Sequence, residues 1–167
     1  MTEPHIPDAQ TAAGRLEATF GAILAERMQD VPILNPALAV EAVGLRDWQG
    51  HWLGALVTPW FINLVVLPGS GAWHAVADRE SVWYAFPSGR FEFIAGSEPG
   101  LGSYHACSLF SPVQEFADHE TARETARVAL ESLFDPALLG ESSGSDQPDG
   151  PQLSRRDFLR GAAATRP

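Results

Sequence analysis

Between residues 37 and 110 the chain is a succession of short runs rich in Val, Ile, Leu, Phe, Trp and Tyr, separated by turn residues. The runs at 38–46, 52–58, 61–67, 81–86, 91–95 and 104–110 have the length and composition of strands. Gln49-Gly50, Pro68-Gly69-Ser70-Gly71 and Pro87-Ser88-Gly89 supply the breaks. Connections this short join antiparallel neighbours, because a parallel crossover needs about a dozen residues or more. Pro59 lacks an N–H, so the chain is expected to bend there rather than continue as one long strand. Residues 53–67 are the most apolar stretch; 15 residues interrupted by Gly54, Pro59 and Asn63 are too few to span a bilayer.

Helical patterns flank this region. Asp8 is a suitable N-cap for a helix whose apolar face carries Leu16, Phe20, Ile23, Leu24 and Met28, with Pro32 and Pro36 ending the element. Gly14 and Gly21 either weaken that helix or admit another backbone closely. Asp118 is the N-cap of a second helix, with Glu120 in its first turn and Ala122, Ala126, Ala129, Leu130 and Leu133 on its apolar face; Asp135-Pro136 stops it. The expected fold is α+β: a two-layer domain with an antiparallel sheet of about six strands flanked by an N-terminal and a C-terminal helix. After residue 139 the sequence ESSGSDQPDGPQ is polar and rich in Gly, Ser and Pro, and reads as a disordered linker. The expected division is a domain over 1–139 and a disordered tail over 140–167.

Charge narrows the function classes. The chain has 21 acidic residues against 11 basic ones, all Arg, for a net −10. Residues 1–139 hold 17 of the acidic residues and seven Arg, so the domain carries the whole imbalance. Such a surface repels nucleic-acid phosphates and attracts basic segments. A single cysteine, Cys107, allows no intramolecular disulfide and no Cys₄ or Cys₂His₂ metal knuckle. No cofactor or metal is therefore expected. The first ten residues lack a charged n-region and an apolar h-region, so a cytoplasmic location without stable membrane association is expected.

Several residues have chemistry to offer. His105 and Cys107 lie two apart on a strand and share a face, which suits a nucleophile with its base, two soft metal ligands needing further partners, or a packed thiol beside a core histidine. Glu115, Asp118 and Glu120 cluster ahead of the second helix, where they cap it, pair as acid and base, or receive arginines. Trp48, Trp52, Trp60, Trp73 and Trp83 fall within 36 residues. Two or three would suffice for a core, and full burial of both Trp48 and Trp52 beside a Gln-Gly turn is hard. Tryptophans hold apolar and guanidinium groups at binding sites. Trp48, Trp52, Trp60, Glu115 and Asp118 are accordingly expected to form an aromatic slot rimmed by carboxylates.

Ser154-Arg155-Arg156-Asp157-Phe158-Leu159-Arg160 resembles the twin-arginine export motif, matching five of six specified positions with Arg160 where lysine is usual. Only Gly161 and three alanines follow before Thr165, so the apolar region of an export signal is missing. The domain carries a wider resemblance. Asn35-Pro36-Ala37-Leu38, Trp48-Gln49-Gly50-His51-Trp52, Thr58-Pro59-Trp60-Phe61, Phe86-Pro87-Ser88-Gly89, Glu98-Pro99-Gly100-Leu101-Gly102, Cys107-Ser108-Leu109-Phe110-Ser111-Pro112 and Glu115-Phe116-Ala117-Asp118-His119 together resemble the HybE-type [NiFe]-hydrogenase assembly chaperone family. That resemblance implies a non-enzymatic cytoplasmic accessory protein. It would bind hydrogenase small- or large-subunit precursors, including the twin-arginine signal of the small subunit, before export. Rubredoxin-like domains associated with some relatives need paired CxxC motifs, which this chain lacks. Two alternatives are a small enzyme or redox factor using Cys107 and a component of the twin-arginine export pathway.

Overall fold

The structure is a computed structural model and describes residues 6–28, 30–73 and 75–138. The expected tail, with Ser154, Arg155, Arg156, Phe158 and Leu159, lies outside the described residues. Helix α1 spans Ala9–Arg27 and α2 spans His119–Ser132. Between them run β1 (Glu41–Trp48), β2 (His51–Val57), β3 (Ile62–Pro68), β4 (Ser81–Phe86), β5 (Gly89–Glu98) and β6 (Gly102–Phe110). Every pairing is antiparallel, in the order β1-β2-β3-β6-β5-β4. The expected α+β architecture is present, with its six-stranded sheet and two flanking helices.

Both helices start as their sequences dictate. Asp8 and Asp118 have extended backbones, and each carboxylate accepts a 2.7 Å hydrogen bond from the backbone N–H three residues on, Thr11 and Thr121. Gly14 and Gly21 have nothing within 4 Å of an added Cβ, so they admit no close neighbour and simply weaken α1.

The helices divide between the sheet's two faces. Ala12, Leu16 and Phe20 of α1 pack with Leu56, Val65 and Leu67. Ala122, Ala126, Ala129 and Leu130 of α2 pack with Leu53, Ala55, Val57, Leu64 and Val66 on the opposite face. The β2–β3 part of the sheet is thus sandwiched between helices, a third layer beyond the two expected. This explains the unbroken apolar runs of β2 and β3, since strands covered on both sides need no polar alternation. By contrast β5 alternates, with Phe91, Phe93 and Ala95 buried and Arg90 and Ile94 exposed.

The sheet curls toward α2. Strands β1 and β4 are opposite edges, about 24 Å apart in a flat sheet of this order. Nevertheless Trp48 of β1 stacks on Phe86 of β4 with ring centroids 4.5 Å apart. A bulge in β1 between Val43 and Arg46 contains Gly44, whose φ is +67° and whose added Cβ would lie 2.8 Å from the Leu130 side chain. Glycine there permits both the bulge and the approach of α2.

Candidate functional site

The five expected site residues lie in two regions at opposite ends of the strands. Trp48 pairs across the β1–β2 hairpin with His51, and Asp47 pairs with Trp52. Gln49 and Gly50, with φ of +53° and +80°, make the two-residue turn that fixes this register. Trp48 and His51 therefore share the face toward α2, and Trp52 points to the α1 face. Trp52 is half-buried there, and its Nε1 donates a 2.6 Å hydrogen bond to the Ile6 carbonyl. Trp60, in the β2–β3 turn, is also half-buried against the α1 cluster and meets Phe61 edge-on. The structure thus does not gather Trp48, Trp52 and Trp60 into one slot.

It does bring Trp60, Glu115 and Asp118 to one end, through a residue whose importance the sequence alone did not reveal. Asn35 is buried, and its N–H donates to the Pro59 carbonyl at 2.8 Å. Its Nδ2 donates to the carbonyls of Val113 at 2.9 Å and Phe116 at 2.8 Å, and its Oδ1 accepts from Ala37 N–H at 2.9 Å. One residue therefore ties three loops together: its backbone N–H holds 58–61, and its side chain holds 111–118 and its own loop at 30–40. Thr58 Oγ1 accepts from the Trp60 and Phe61 amides and fixes the turn, and Gln114 Nε2 donates to the Ile33 carbonyl. On this framework Ile33 is 42 % exposed, one of two large hydrophobic residues so exposed among the described residues. Glu115, Asp118 and Glu120 are exposed on the segment that Asn35 holds and at the start of α2.

The start of α2 adds electrostatic structure. Asp118, Glu120, Thr121, Arg123 and Glu124 line a depression of about 430 Å³. Hydrogen bonds from the Thr121 N–H and hydroxyl hold the Asp118 carboxyl below its ordinary value. His119 Nδ1 accepts from the Ala39 N–H at 3.1 Å, so Nε2 carries the ring proton and donates to Glu41 at 2.7 Å. Arg123 Nε reaches both Glu41 oxygens, at 2.9 and 3.1 Å. Burial, the largest single influence on Glu41, pushes its carboxyl up; the bonds from His119 and Arg123 together outweigh it and hold the group low.

The other end, beneath the β3–β4 connection, is an aromatic and histidine cluster. His105 is buried, shares a 2.7 Å hydrogen bond with the Tyr84 hydroxyl, and stacks under Trp73 at 4.3 Å. Trp73 also meets His51 edge-on, and Trp48 packs against Tyr84 as well as Phe86. Burial pushes Tyr84 up to about 12, so its hydroxyl keeps its proton. Cys107 shares the His105 face as the strand period requires. Its thiol is pushed up to about 12, first by burial and then by the Glu92 carboxylate. A nucleophilic cysteine needs the reverse, a thiolate favoured near neutral pH. The described residues contain no group of three His, Cys, Asp or Glu able to hold a metal, and no helix long and apolar enough to cross a membrane.

Comparison with known proteins agrees with the motif reading. The family described as "[NiFe]-hydrogenase assembly, chaperone, HybE" matches residues 11–161. The hydrogenase expression/formation protein HupJ of Bradyrhizobium diazoefficiens is 43 % identical over 162 residues, covering 96 % of this chain and 95 % of that protein. A probable rubredoxin HupJ of Rhodobacter capsulatus is 40 % identical over 135 residues, which are 80 % of this chain but 48 % of that longer protein. The solution structure of HybE from Escherichia coli has a TM-score of 0.60 and 27 % identity, covering 75 % of this chain and 78 % of that one. On the family match, the 43 % relative and the shared fold, the chain belongs to the HybE family of [NiFe]-hydrogenase assembly chaperones.

Proposed function

We propose that this protein acts in hydrogenase maturation by binding subunit precursors, including the twin-arginine signal of the small subunit, in the cytoplasm before export. Its action is binding rather than bond-making, and it needs no cofactor. The loop end is the docking surface: Ile33 and Trp60 receive the apolar Phe-Leu pair of such a signal, and Glu115 and Asp118 receive its arginines. The observation that supports this reading is that exposed Ile33, half-buried Trp60 and those carboxylates belong to segments joined through Asn35. Trp48 and Trp52 act from within the fold, by stacking on Phe86 and by bonding Ile6.

Calorimetric titration of the full-length protein with a synthetic twin-arginine signal peptide tests it. Trp60→Ala should weaken binding at least about tenfold, the size of effect seen at a binding hot spot. Glu115→Gln with Asp118→Asn, which retains a capping side chain, should weaken it less at high salt than at low salt. Equal affinity in all three proteins would show that the peptide binds elsewhere.

A further inference from the structure

We propose that residues 154–160 of this chain dock on its own outer sheet face, with Phe158 and Leu159 against Ile94 and Trp83 and an arginine on Glu92. The face leaves a large hydrophobic side chain open to solvent. Helix α1 covers the outer side of β1, β2 and β3, and α2 lies on the other side of the sheet. Apart from the 2.7 Å ion pair of Arg27 with Glu98 at the far end of β5, no described helix contact reaches the outer side of β4 and β5. There Ile94 is 41 % exposed, opposite Ser81, and Trp83 stands opposite Glu92. The face already holds a guanidinium: Arg90 sits 5.1 Å above the Trp83 ring. Glu92 accepts a hydrogen bond from Ser81 Oγ and remains partly exposed.

The length of chain fits. Ser88 N–H donates to the Leu133 carbonyl at 3.0 Å, so the segment leading to Leu138 leaves α2 beside the β4–β5 turn. From Gly89 to Ile94 is five residues of strand, about 17 Å. Fifteen residues lie between Leu138 and Ser154, and a coil of such Gly-, Ser- and Pro-rich composition has a root-mean-square span of about 21 Å. Span and distance match, the condition for an effective concentration in the millimolar range. A segment with millimolar intrinsic affinity is then about half docked. Charge favours it too: residues 154–160 hold three Arg and one Asp, against seven Arg and 17 acidic residues in 1–139. The surface shares no residue with the loop end, so this inference and the proposed client site stand or fall separately.

The test is amide and indole NMR of the full-length protein, compared with a tail variant carrying Arg155→Gln, Arg156→Gln and Phe158→Ser. The expected result is signal displacement at Trp83, Glu92 and Ile94, diminished by salt and unchanged by tenfold dilution. In the background of Ile94→Ser, an exposed site whose change leaves the core intact, the same tail substitutions should displace these signals less than half as far. Three results overturn the inference: no displacement on this face, displacement at Ile33 and Trp60 instead, or displacement lost on dilution, which would mean contact between two copies.

Discussion

The two ends of the sheet use similar residues for opposite purposes. At the β3–β4 end, Trp48, Trp73, Tyr84 and Phe86 stack on one another and on His105, so their surface serves cohesion. At the loop end, a buried polar residue, Asn35, supplies the cohesion and leaves Ile33 exposed and Trp60 half-buried. Aromatic abundance therefore marks a core in one place and a surface in the other. The distinction rests on what holds the backbone. Where hydrogen bonds fix three loops, apolar side chains need not turn inward to stabilise them.

Trp48→Ala should have the largest effect on stability. It removes a ring that stacks on Phe86 and meets Tyr84 edge-on, and should cost about 3 kcal/mol in chemical denaturation, with little change in affinity for a signal peptide. A marginal loss would mean that the curled sheet does not rely on contact between its edges. Asn35→Ala should cost about 2 kcal/mol, because the Val113 and Phe116 carbonyls lose their buried donor. It should also weaken peptide binding by freeing the 111–118 loop, while the Asn35 N–H keeps its bond to the Pro59 carbonyl. Stability lost with affinity intact would separate the knot from the surface it carries.

A smaller effect is expected at the aromatic end on acidification. Burial, opposed by Asp47, holds folded His51 below its ordinary value of 6.5. The unfolded chain then takes up more protons as pH falls below about 6.5, so the stability present above that value is lost as pH drops through the window down to the folded value. His51→Gln should flatten the fall in melting temperature over that range. An unchanged slope would assign the acid sensitivity to other groups.

Much of the fold was legible because strand pairing here is local. The Gln49-Gly50 turn fixes register, and the same fact places Trp48 and Trp52 on opposite faces. The expected slot failed to allow for that flip, although the turn residues signalled it. Strand β5 outgrows its expected span because Gly96, Ser97 and Glu98 pair with Tyr104, Ser103 and Gly102, so partner backbone, not composition, extends it. The assignment of helices to separate faces was less visible, since the apolar runs of β2 and β3 indicate two-sided burial without saying by which helix. The role of Asn35 was hidden for a different reason. Its partners lie 78 and 81 residues away, and nothing in a lone Asn-Pro indicates which distant carbonyls it will meet.

The central claim is that the loop end meets the client and the aromatic end does not. Both ends can be watched at once by adding unlabelled twin-arginine signal peptide to the isotope-labelled full-length protein and recording its amide and indole NMR signals. The account predicts saturable displacement at Ile33, Trp60 and Glu115, with Trp48, Trp73 and His105 unmoved. Displacement centred on Trp48, Trp73 and His105, with Ile33 and Trp60 unmoved, would contradict it.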